Sequence, residues 1–549
     1  MRMLTAVAAL ALVAQPLLAQ VTSPATRSGR STVYAPRGVA ATSQPLATGA
    51  ALKMLEAGGN AVDAAVAAAA VLNVTEPHMT GIGGDMFAIL WWAEEGRLVG
   101  LDASGRSGSK VDLDELLAEG EDDAPGSGAR SVTVPGALSG WNALIETYGT
   151  MSLPDVLAPA IRIAEEGFPV TPIIAQDWGG SADGLRRNEG AAATFLIDGE
   201  APKAGEWFRN PDLAGSFRQI AAEGAATFYG GDLGQRLVAG LDELGGYLTV
   251  DDLRNHEYRW VEPLSVDYKG YTLHELPPAG QGIAALQMLK MLEGFDLQAM
   301  GHNTPEYLHT LIEAKKLAHA DLARYVADPE HMDVRPEALL DPDYLAGRAR
   351  LIRPDVAADR PDAGRLVTDS ETIYLTVADQ YGNMVSFINS VYGYFGSRVV
   401  VPGTGFVLQN RGAGFTMEEG HPNRLAPNKR PFHTIIPAFV TRNGEPWMSF
   451  GVMGGSMQPQ GHVQVLLNMV EFGMDPQEAI DAARFRHFSG TTVAIENIGP
   501  DLAGRLESVG HELRDWAGVA FGGGQAILKL PRGWAAGSDP RKDGMAAGH

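Results

Sequence analysis

Thr372 begins a stretch whose residue types could carry out nucleophilic chemistry. In ETIYLTVAD, residues 371–379, strand-like alternation places Thr372, Tyr374 and Thr376 on one face and apolar residues on the other. A threonine hydroxyl is a poor nucleophile unless a base takes its proton, and neither a G-x-S-x-G elbow nor a histidine partner lies beside Thr372. An N-terminal threonine solves this problem because its own α-amine can act as the base. This chemistry requires cleavage between Glu371 and Thr372.

The sequence pattern changes from helix-rich to strand-rich across a polar linker that leads to Thr372. Residues 150–350 show apolar residues at helical spacing, interrupted by a hairpin pattern at 264–278, whereas residues 353–371 have no apolar period. After the linker, strands are predicted at 372–378, 384–390, 398–401 and 434–441. Helices followed by strands in this way indicate sheets covered by helices, as layers of one α/β fold.

Upstream of these elements, an alanine-rich helix and a glycine-rich turn precede a buried strand. Gly58-Gly59 ends one helix, and Asn60, with an aspartate three residues on, caps a helix that runs to about Leu72. The segment TGIGGDMF leads into an apolar strand at 86–92. Its glycines do not predict a phosphate loop, because no Lys-Ser or Lys-Thr follows and the next element is a strand.

Composition predicts a folded globular protein and argues against several partners. The chain has 549 residues, 45% of them hydrophobic and 20% charged, which is enough for a sizeable core. A formal net charge of -23 argues against binding to nucleic acid or to anionic membrane surfaces. The absence of cysteine excludes disulfides, thiolate nucleophiles and sulfur-ligated metals, and the histidines show no metal-binding spacing such as H-E-x-x-H. We expect neither a metal nor an organic cofactor.

The N-terminus predicts export. Arg2 precedes an apolar run at residues 4–19 that ends in the small residue Ala19, which is the pattern of a secretory signal peptide. The run is short for a membrane span, and no later segment has the length and apolarity to cross a bilayer. Residues 1–19 are therefore predicted to be a signal peptide, and the mature protein to be periplasmic or secreted and free of the membrane. If the segment is an ordinary N-terminal helix instead, the protein is cytoplasmic.

Segments along nearly the whole chain resemble the γ-glutamyltransferase family of self-processing N-terminal-nucleophile hydrolases. The run T-x-Y-x-x-V-x-D-x-x-G-N-x-V-S at residues 372–386 resembles the start of the family's small subunit. Other matching segments, in the family's order, are EAGGNAVDAAVA, TGIGGDMF, VPGTGFVLQNRGAGF (401–415), APNKRPFHTIIPA (426–438), GVMGGSMQ (451–458) and GSDPRKDGMAAG (537–548). The resemblance implies a four-layer αββα fold, built as one domain from two autocleaved and associated subunits, residues 20–371 and 372–549.

The same resemblance implies catalytic roles for particular residues. Thr372 would be both the processing residue and the nucleophile. Ser390 stands where the family has a second threonine that hydrogen-bonds the nucleophile's amine, and a serine keeps that hydroxyl. The backbone N–H groups of Gly454 and Gly455 would form the oxyanion hole. Without the resemblance, this glycine pair would indicate only a tight turn.

The chain departs from the family where the family binds the γ-glutamyl group. Ser104 occupies the position of the arginine that holds the α-carboxylate, with Arg106 two residues later. Gly414, just before Phe415, occupies the position of the aspartate that holds the α-amine. Because hydrogen bonds to charged groups contribute roughly 1.5 to 3 kcal/mol each, losing two anchors weakens γ-glutamyl recognition several hundred-fold or more.

Other replacements make the presumed pocket more positive. Arg411 replaces a neutral amide, and His433-Thr434 replaces a pair of serines that contacts the carboxylate. Together with Arg106, these residues suit a small-molecule amide that carries a carboxylate and no ammonium, although surface solvation or internal ion pairs would explain the arginines equally well. The residues expected to bind substrate are Arg106, Tyr392, Asn410, Arg411, His433 and Thr434.

Three functions follow from these expectations. The first is hydrolysis or transfer of γ-glutamyl amides such as glutathione. The second is cleavage of another acyl group, in the manner of the cephalosporin-acylase-like and oxamate-amidohydrolase-like branch, which these departures resemble. The third is a catalytically silent binding protein that keeps the fold, against which the retained Thr372, Ser390 and glycine pair argue.

Overall fold

The computed structural model describes residues 29–359, 371–516 and 521–549, which form two stacked seven-stranded sheets flanked by helices. The strands are β1 (Val33–Ala35), β2 (Val39–Thr42), β3 (Asp85–Trp92), β4 (Arg97–Ala103), β5 (Phe168–Pro169), β6 (Trp207–Phe208), β7 (Arg259–Val261), β8 (Leu264–Tyr268), β9 (Tyr271–Glu275), β10 (Glu371–Ala378), β11 (Met384–Tyr392), β12 (Ala438–Arg442), β13 (Glu445–Met453), β14 (Phe485–His487), β15 (Thr492–Ile495), β16 (Glu512–Leu513), β17 (Gly523–Lys529), β18 (Trp534–Ser538) and β19 (Met545–Gly548).

The α-helices lie mainly in the first two thirds of the chain. They are α1 (Pro45–Glu56), α2 (Ala61–Thr75), α3 (Leu113–Glu119), α4 (Ala137–Tyr148), α5 (Leu153–Glu166), α6 (Pro172–Leu185), α7 (Glu189–Phe195), α8 (Pro211–Glu223), α9 (Asp232–Glu243), α10 (Val250–Arg254), α11 (Gly282–Leu292), α12 (Leu297–Met300), α13 (Pro305–Tyr325), α14 (Pro342–Ala349), α15 (Met457–Val470), α16 (Pro476–Asp481) and α17 (Pro500–Ser508).

The two large sheets are antiparallel throughout and pack face to face. The first has the strand order β19-β2-β10-β11-β3-β4-β7, and the second β1-β18-β17-β13-β12-β9-β8. Helix α2 packs on β10 and β11 of the first sheet, and α11 and α15 pack on β8, β9 and β13 of the second. Between the sheets, Thr376 Oγ1 of β10 lies 2.6 Å from Ser449 Oγ of β13. This four-layer αββα architecture confirms the predicted fold class.

Local sequence signals predicted several elements correctly. Asn60 caps α2 through bonds from the backbone N–H groups of Val62 and Asp63, and the Asp63 carboxylate accepts a 2.8 Å bond from Asn60 N. The predicted hairpin at 264–278 is β8–β9, which turns at Lys269-Gly270 with φ values of 51° and 84°. These signals act over a few residues, so the sequence suffices to place them.

Two strand predictions need correction. Residues 398–401 do not form a strand, because Arg398 has a left-handed backbone with φ of 62°, and the apolar residues after it enter the core without a ladder. The strand predicted at 434–441 begins only at Ala438. Before it, the backbone of His433 pairs with the N-terminal approach to α11, donating to Ala279 O and accepting from Gln281 N, each at 3.0 Å.

Two expectations fall outside the part of the chain that the structure describes. They are the signal peptide at residues 1–19 and most of the linker, at 360–370. Among the described residues, no helix combines the length and apolarity needed to span a membrane.

Candidate active site

Thr372, Ser390 and Asp85 form a row of polar side chains across three neighbouring strands of the first sheet. Ser390, near the end of β11, pairs in register with Asp85 at the start of β3. Thr372 lies near the start of β10 beside a register shift, and its Oγ1 donates a 3.1 Å hydrogen bond to Ser390 Oγ. All three side chains are buried. The folded chain therefore brings together the two hydroxyls that the sequence singled out.

Strand β13 carries the glycine pair to the same end of the sandwich. Thr376 contacts Ser449, and the Tyr374 ring lies so close to Gly451 that a Cβ added there would be 2.5 Å from a ring atom. Residues on the same face of a strand recur at every second position. Two residues before Tyr374 on β10 is Thr372, and two residues after Gly451 is the end of β13, so Thr372 is expected to lie near that end. The Gly454-Gly455 turn follows directly after that end.

Backbone geometry explains why this turn uses glycine. Gly454 and Gly455 have φ values of 119° and 59°, in the region that disfavours residues with a Cβ. The turn leads into α15, whose Met457 and Gln458 N–H groups donate to the carbonyls of Gly454 and Gly455. Gln281 Nε2 holds the turn from the other side through a 2.8 Å bond to Gly455 O. The turn is thus fixed on both sides.

Four of the expected substrate-binding residues meet around Asp85. Arg411 is fully buried in a 3₁₀ turn, and its Nη1 donates to Thr434 Oγ1 at 3.0 Å. The Tyr392 ring stacks on the guanidinium, with 4.4 Å between the Arg411 Cζ and the ring centroid. Asp85 Oδ2 lies 3.7 Å from Arg411 Nε and 3.8 Å from His433 Nε2. We call these five residues the Arg411 cluster.

Burial sets the protonation of this cluster. Burial raises the pKa of Asp85 to about 7, although Arg411 and the N–H groups of Gly105 and Gly136 oppose the shift. Burial, reinforced by Arg411, holds the pKa of His433 well below its usual range, so the imidazole is neutral. Burial also lowers the pKa of Arg411, and the attraction of Asp85 partly offsets this. Near neutral pH, the cluster has one firm cation and one carboxyl that titrates.

Several polar atoms of the cluster have no hydrogen-bond partner among the described residues. They are Asp85 Oδ2, Arg411 Nε and Nη2, and both ring nitrogens of His433. Buried polar atoms are usually satisfied, and leaving one unpaired costs about 1–3 kcal/mol. The cluster therefore has the donors and the acceptor to receive a polar ligand.

Arg106 has other partners. Its Nη1 donates to Asn428 O at 2.8 Å and its Nη2 to Glu330 Oε1 at 3.0 Å. It lines a cavity of about 190 Å³ with Arg259 and Arg430 and is not one of the residues around Arg411. The geometry thus gives Arg106 an ion pair, which was the alternative explanation for this arginine.

Asn410 supports the loop beside the cluster. Its Oδ1 accepts a 2.9 Å bond from Gly393 N, and its Nδ2 donates to Gly126 O at 2.7 Å. Its amide therefore ties the backbone that follows Tyr392 to the loop at Gly126.

The two positions that depart from the family have no group for a γ-glutamyl α-amine or α-carboxylate. A Cβ at Gly414 would lie 2.6 Å from the carbonyl oxygen of Phe432, so the backbone leaves no space for a side chain. Ser104 Oγ donates to Asp102 Oδ1 at 2.6 Å.

Sequence reasoning missed Asp85. Its only local signal is an acid at the edge of a strand that is buried on both faces, where an unpaired charge is costly. Its position opposite Ser390 depends on the register of β3 and β11, which sequence spacing does not give.

Two groups of side chains among the described residues lie close enough together to hold a metal ion. They are His309, Glu313 and His511, and Asp328, Glu330 and His331. In the first group, His309 Nδ1 and His511 Nε2 are hydrogen-bonded at 2.8 Å, and Glu313 is paired with Lys316 at 2.8 Å. In the second group, Asp328 Oδ2 and Glu330 Oε1 lie 3.6 and 3.0 Å from nitrogens of Arg106, so the carboxylates of both groups already have cationic partners.

The model of the family described as "Gamma-glutamyltranspeptidase" matches residues 47–549. The chain belongs to this family.

Its relatives in the family have different substrates in their names. The glutathione hydrolase-like YwrD proenzyme of Bacillus subtilis is 38% identical over 515 residues, covering 92% of this chain and 97% of the relative. The oxamate amidohydrolase proenzyme of Klebsiella pneumoniae is 36% identical over 527 residues, covering 93% and 98%. The crystal structure of cephalosporin acylase from Bacillus halodurans matches with a TM-score of 0.91 and 43% identity, covering 96% of this chain and 98% of that one. The protein is therefore an N-terminal-nucleophile amidohydrolase, and these names leave its acyl group open.

Proposed function

We propose that the protein is a self-processing N-terminal-threonine amidohydrolase that removes an acyl group bearing a free carboxylate and needs no α-amine on that group. The observation that carries this proposal is the buried Arg411, which lies in the cluster next to Ser390 and Thr372 and whose Nε and Nη2 donate no hydrogen bond to the described residues. A planar guanidinium with free N–H groups is the side chain best suited to a carboxylate. The crowding at Gly414 supports the absence of an α-amine anchor.

The proposed reaction uses groups of this chain alone. After cleavage before Thr372, its Oγ1 attacks the amide carbonyl and its α-amine takes the hydroxyl proton. The N–H groups of Gly454 and Gly455 stabilise the oxyanion, and the α-amine then passes the proton to the departing amine. Water attacks the resulting ester by the same route, releasing the acid and restoring Thr372.

Processing is tested by the intact mass of the purified protein beside Thr372→Ala. Wild type should give a C-terminal fragment of residues 372–549, and the variant should stay whole. An uncut wild-type chain would leave Thr372 without its base and would favour the function of a catalytically silent binding protein.

Acyl specificity is tested with three anilides of five-carbon acyl groups: glutaryl, which has the carboxylate, pentanoyl, which lacks it, and γ-glutamyl, which adds the α-amine. We expect glutaryl to be cleaved fastest. Arg411→Gln should reduce the ratio of glutaryl to pentanoyl kcat/KM by roughly 10- to 150-fold, the equivalent of losing one hydrogen bond to a charged group. Arg106→Gln is the matched control and should leave the ratio unchanged. Fastest cleavage of the γ-glutamyl anilide would instead support the glutathione-hydrolase function that several relatives carry in their names.

A further inference from the structure

We propose that Asp85 is a specificity-determining residue that competes with the acyl carboxylate for Arg411, so that an acidic acyl group binds together with one proton on Asp85. This inference rests on the proposed function, because it takes Arg411 as the carboxylate ligand. If Asp85 of β3 acts in this way, the preference for acidic acyl groups depends on pH.

Geometry makes Asp85 a fixed competitor. Its Oδ1 accepts bonds from Gly105 N at 3.1 Å and Gly136 N at 3.3 Å, which anchor the carboxyl group. The other oxygen, Oδ2, points to the side of Arg411 where Nε lies, at 3.7 Å, and accepts no hydrogen bond from the described residues. A substrate carboxylate that reaches Nε and Nη2 must lie close to this oxygen.

Charge balance then requires a proton. Arg411 is the cation of the cluster, and both it and Asp85 are fully buried. Two carboxylates facing one buried guanidinium leave an uncompensated negative charge, which proteins avoid by protonating one of them. A free acyl carboxylate has an ordinary pKa near that of glutamate, about 4.3, whereas burial already raises the pKa of Asp85 to about 7. Asp85 is therefore the group that takes the proton.

Other titratable groups also face Asp85. His433 is neutral because burial and Arg411 hold its pKa well below its usual range. Asp102 of β4 acts to raise the pKa of Asp85 further. Tyr229 is buried, and burial raises its pKa above its ordinary value of 10.0, so it stays protonated. The α-amine that processing frees on Thr372 has an ordinary pKa of about 7.7–8.0, and it remains in every Asp85 variant.

The test measures the binding of glutarate to the processed enzyme by calorimetry from pH 6 to pH 9. If the bound state keeps Asp85 protonated, the dissociation constant should rise by roughly 50-fold between pH 7 and pH 9. Asp85→Asn keeps an oxygen for the bonds from Gly105 and Gly136, and it should remove most of this rise while binding glutarate at pH 9 more tightly than wild type. Glu471→Gln is the matched control, since it removes a buried carboxylate that is bonded to Lys269 at 2.7 Å, and it should keep the wild-type pH dependence.

The outcomes separate the two proposals. If Asp85→Asn shows the same rise as wild type, the Asp85 inference is overturned and the carboxylate specificity stands. Failure of glutarate to bind at any pH overturns the specificity and the inference together. Should the variant not fold, infrared difference spectra of wild type at pH 8 decide instead, because they distinguish a protonated carboxyl from an ammonium group. Glutarate should produce a protonated-carboxyl band, and its absence would refute the inference.

Discussion

Replacing Ser390 by alanine tests the hydroxyl that joins the proposed nucleophile to the substrate pocket. Ser390 Oγ accepts bonds from Thr372 Oγ1 at 3.1 Å and from Tyr392 N at 2.8 Å. Tyr392 has a φ of 80°, which a residue other than glycine adopts only when its surroundings hold it, and its ring covers Arg411. The Ser390 hydroxyl thus holds both the proposed nucleophile and the residue whose ring covers Arg411.

The magnitudes follow from these two bonds. Ser390→Ala leaves the buried Tyr392 N–H without its acceptor, which should lower the free energy of unfolding by about 1–3 kcal/mol. Loss of the bond that holds Thr372 Oγ1, about 1 to 1.5 kcal/mol, should slow processing by roughly 5- to 10-fold or more. Ser390→Thr keeps the hydroxyl and should restore both properties.

Two assays keep stability and chemistry apart. Processing is followed by intact mass at timed intervals after refolding, and stability by urea unfolding in the uncut Thr372→Ala background. Ser386→Ala is the matched control, because Ser386 lies on the same face of β11, is equally buried and bonds Tyr374 Oη at 2.7 Å. It should lose comparable stability and still process at the wild-type rate. Processing of Ser390→Ala at that rate would show that the Ser390 hydroxyl does not assist Thr372.

A buried lysine outside the candidate site and the glycine at position 414 can be tested by stability measurements. Lys315 is buried with its Nζ 2.8 Å from His487 Nδ1, and burial lowers its pKa to about 7. The unfolded chain binds this proton below about pH 10.4, whereas the folded chain binds it only near pH 7 and below. The free energy of unfolding of wild type should therefore fall by on the order of 4 kcal/mol as the pH is lowered from 10 to 7. Lys315→Met should remove most of this loss, as measured by urea unfolding at the two pH values. Gly414→Ala should destabilise the protein by about 1–3 kcal/mol in the same assay, because the alanine Cβ would lie 2.6 Å from Phe432 O. Unchanged stability would show that position 414 has room for a side chain.

The sequence by itself determined the elements whose signals are local. The Asn60 cap, the apolar run of β3 and the hairpin at 264–278 each depend on a few consecutive residues, and each appears as predicted. The strand prediction at 398–401 was wrong. Its apolar residues have the composition of a strand, but the positive φ at Arg398 and tertiary packing determine the backbone conformation of this segment.

For the site, the residue pattern indicated the candidate nucleophile Thr372, and the family resemblance supplied its partner Ser390. Thr372 and Ser390 lie on consecutive strands, so their spacing along the chain carries over into their distance in space. The glycine pair also followed from the resemblance, and its positive φ values explain the residue type.

Only the tertiary structure decided which charged residues surround the proposed nucleophile. Arg106 and Arg411 were equivalent candidates in the sequence, yet Arg106 pairs with Glu330 while Arg411 is buried against Asp85. The physical reason is that charge pairing in a buried site depends on which strands and loops meet, and the pairing of β3 with β11 brings together residues far apart in the chain. The register of these strands cannot be predicted from local periodicity. The sequence therefore predicts the proposed nucleophile, whereas the tertiary structure determines which residues surround it.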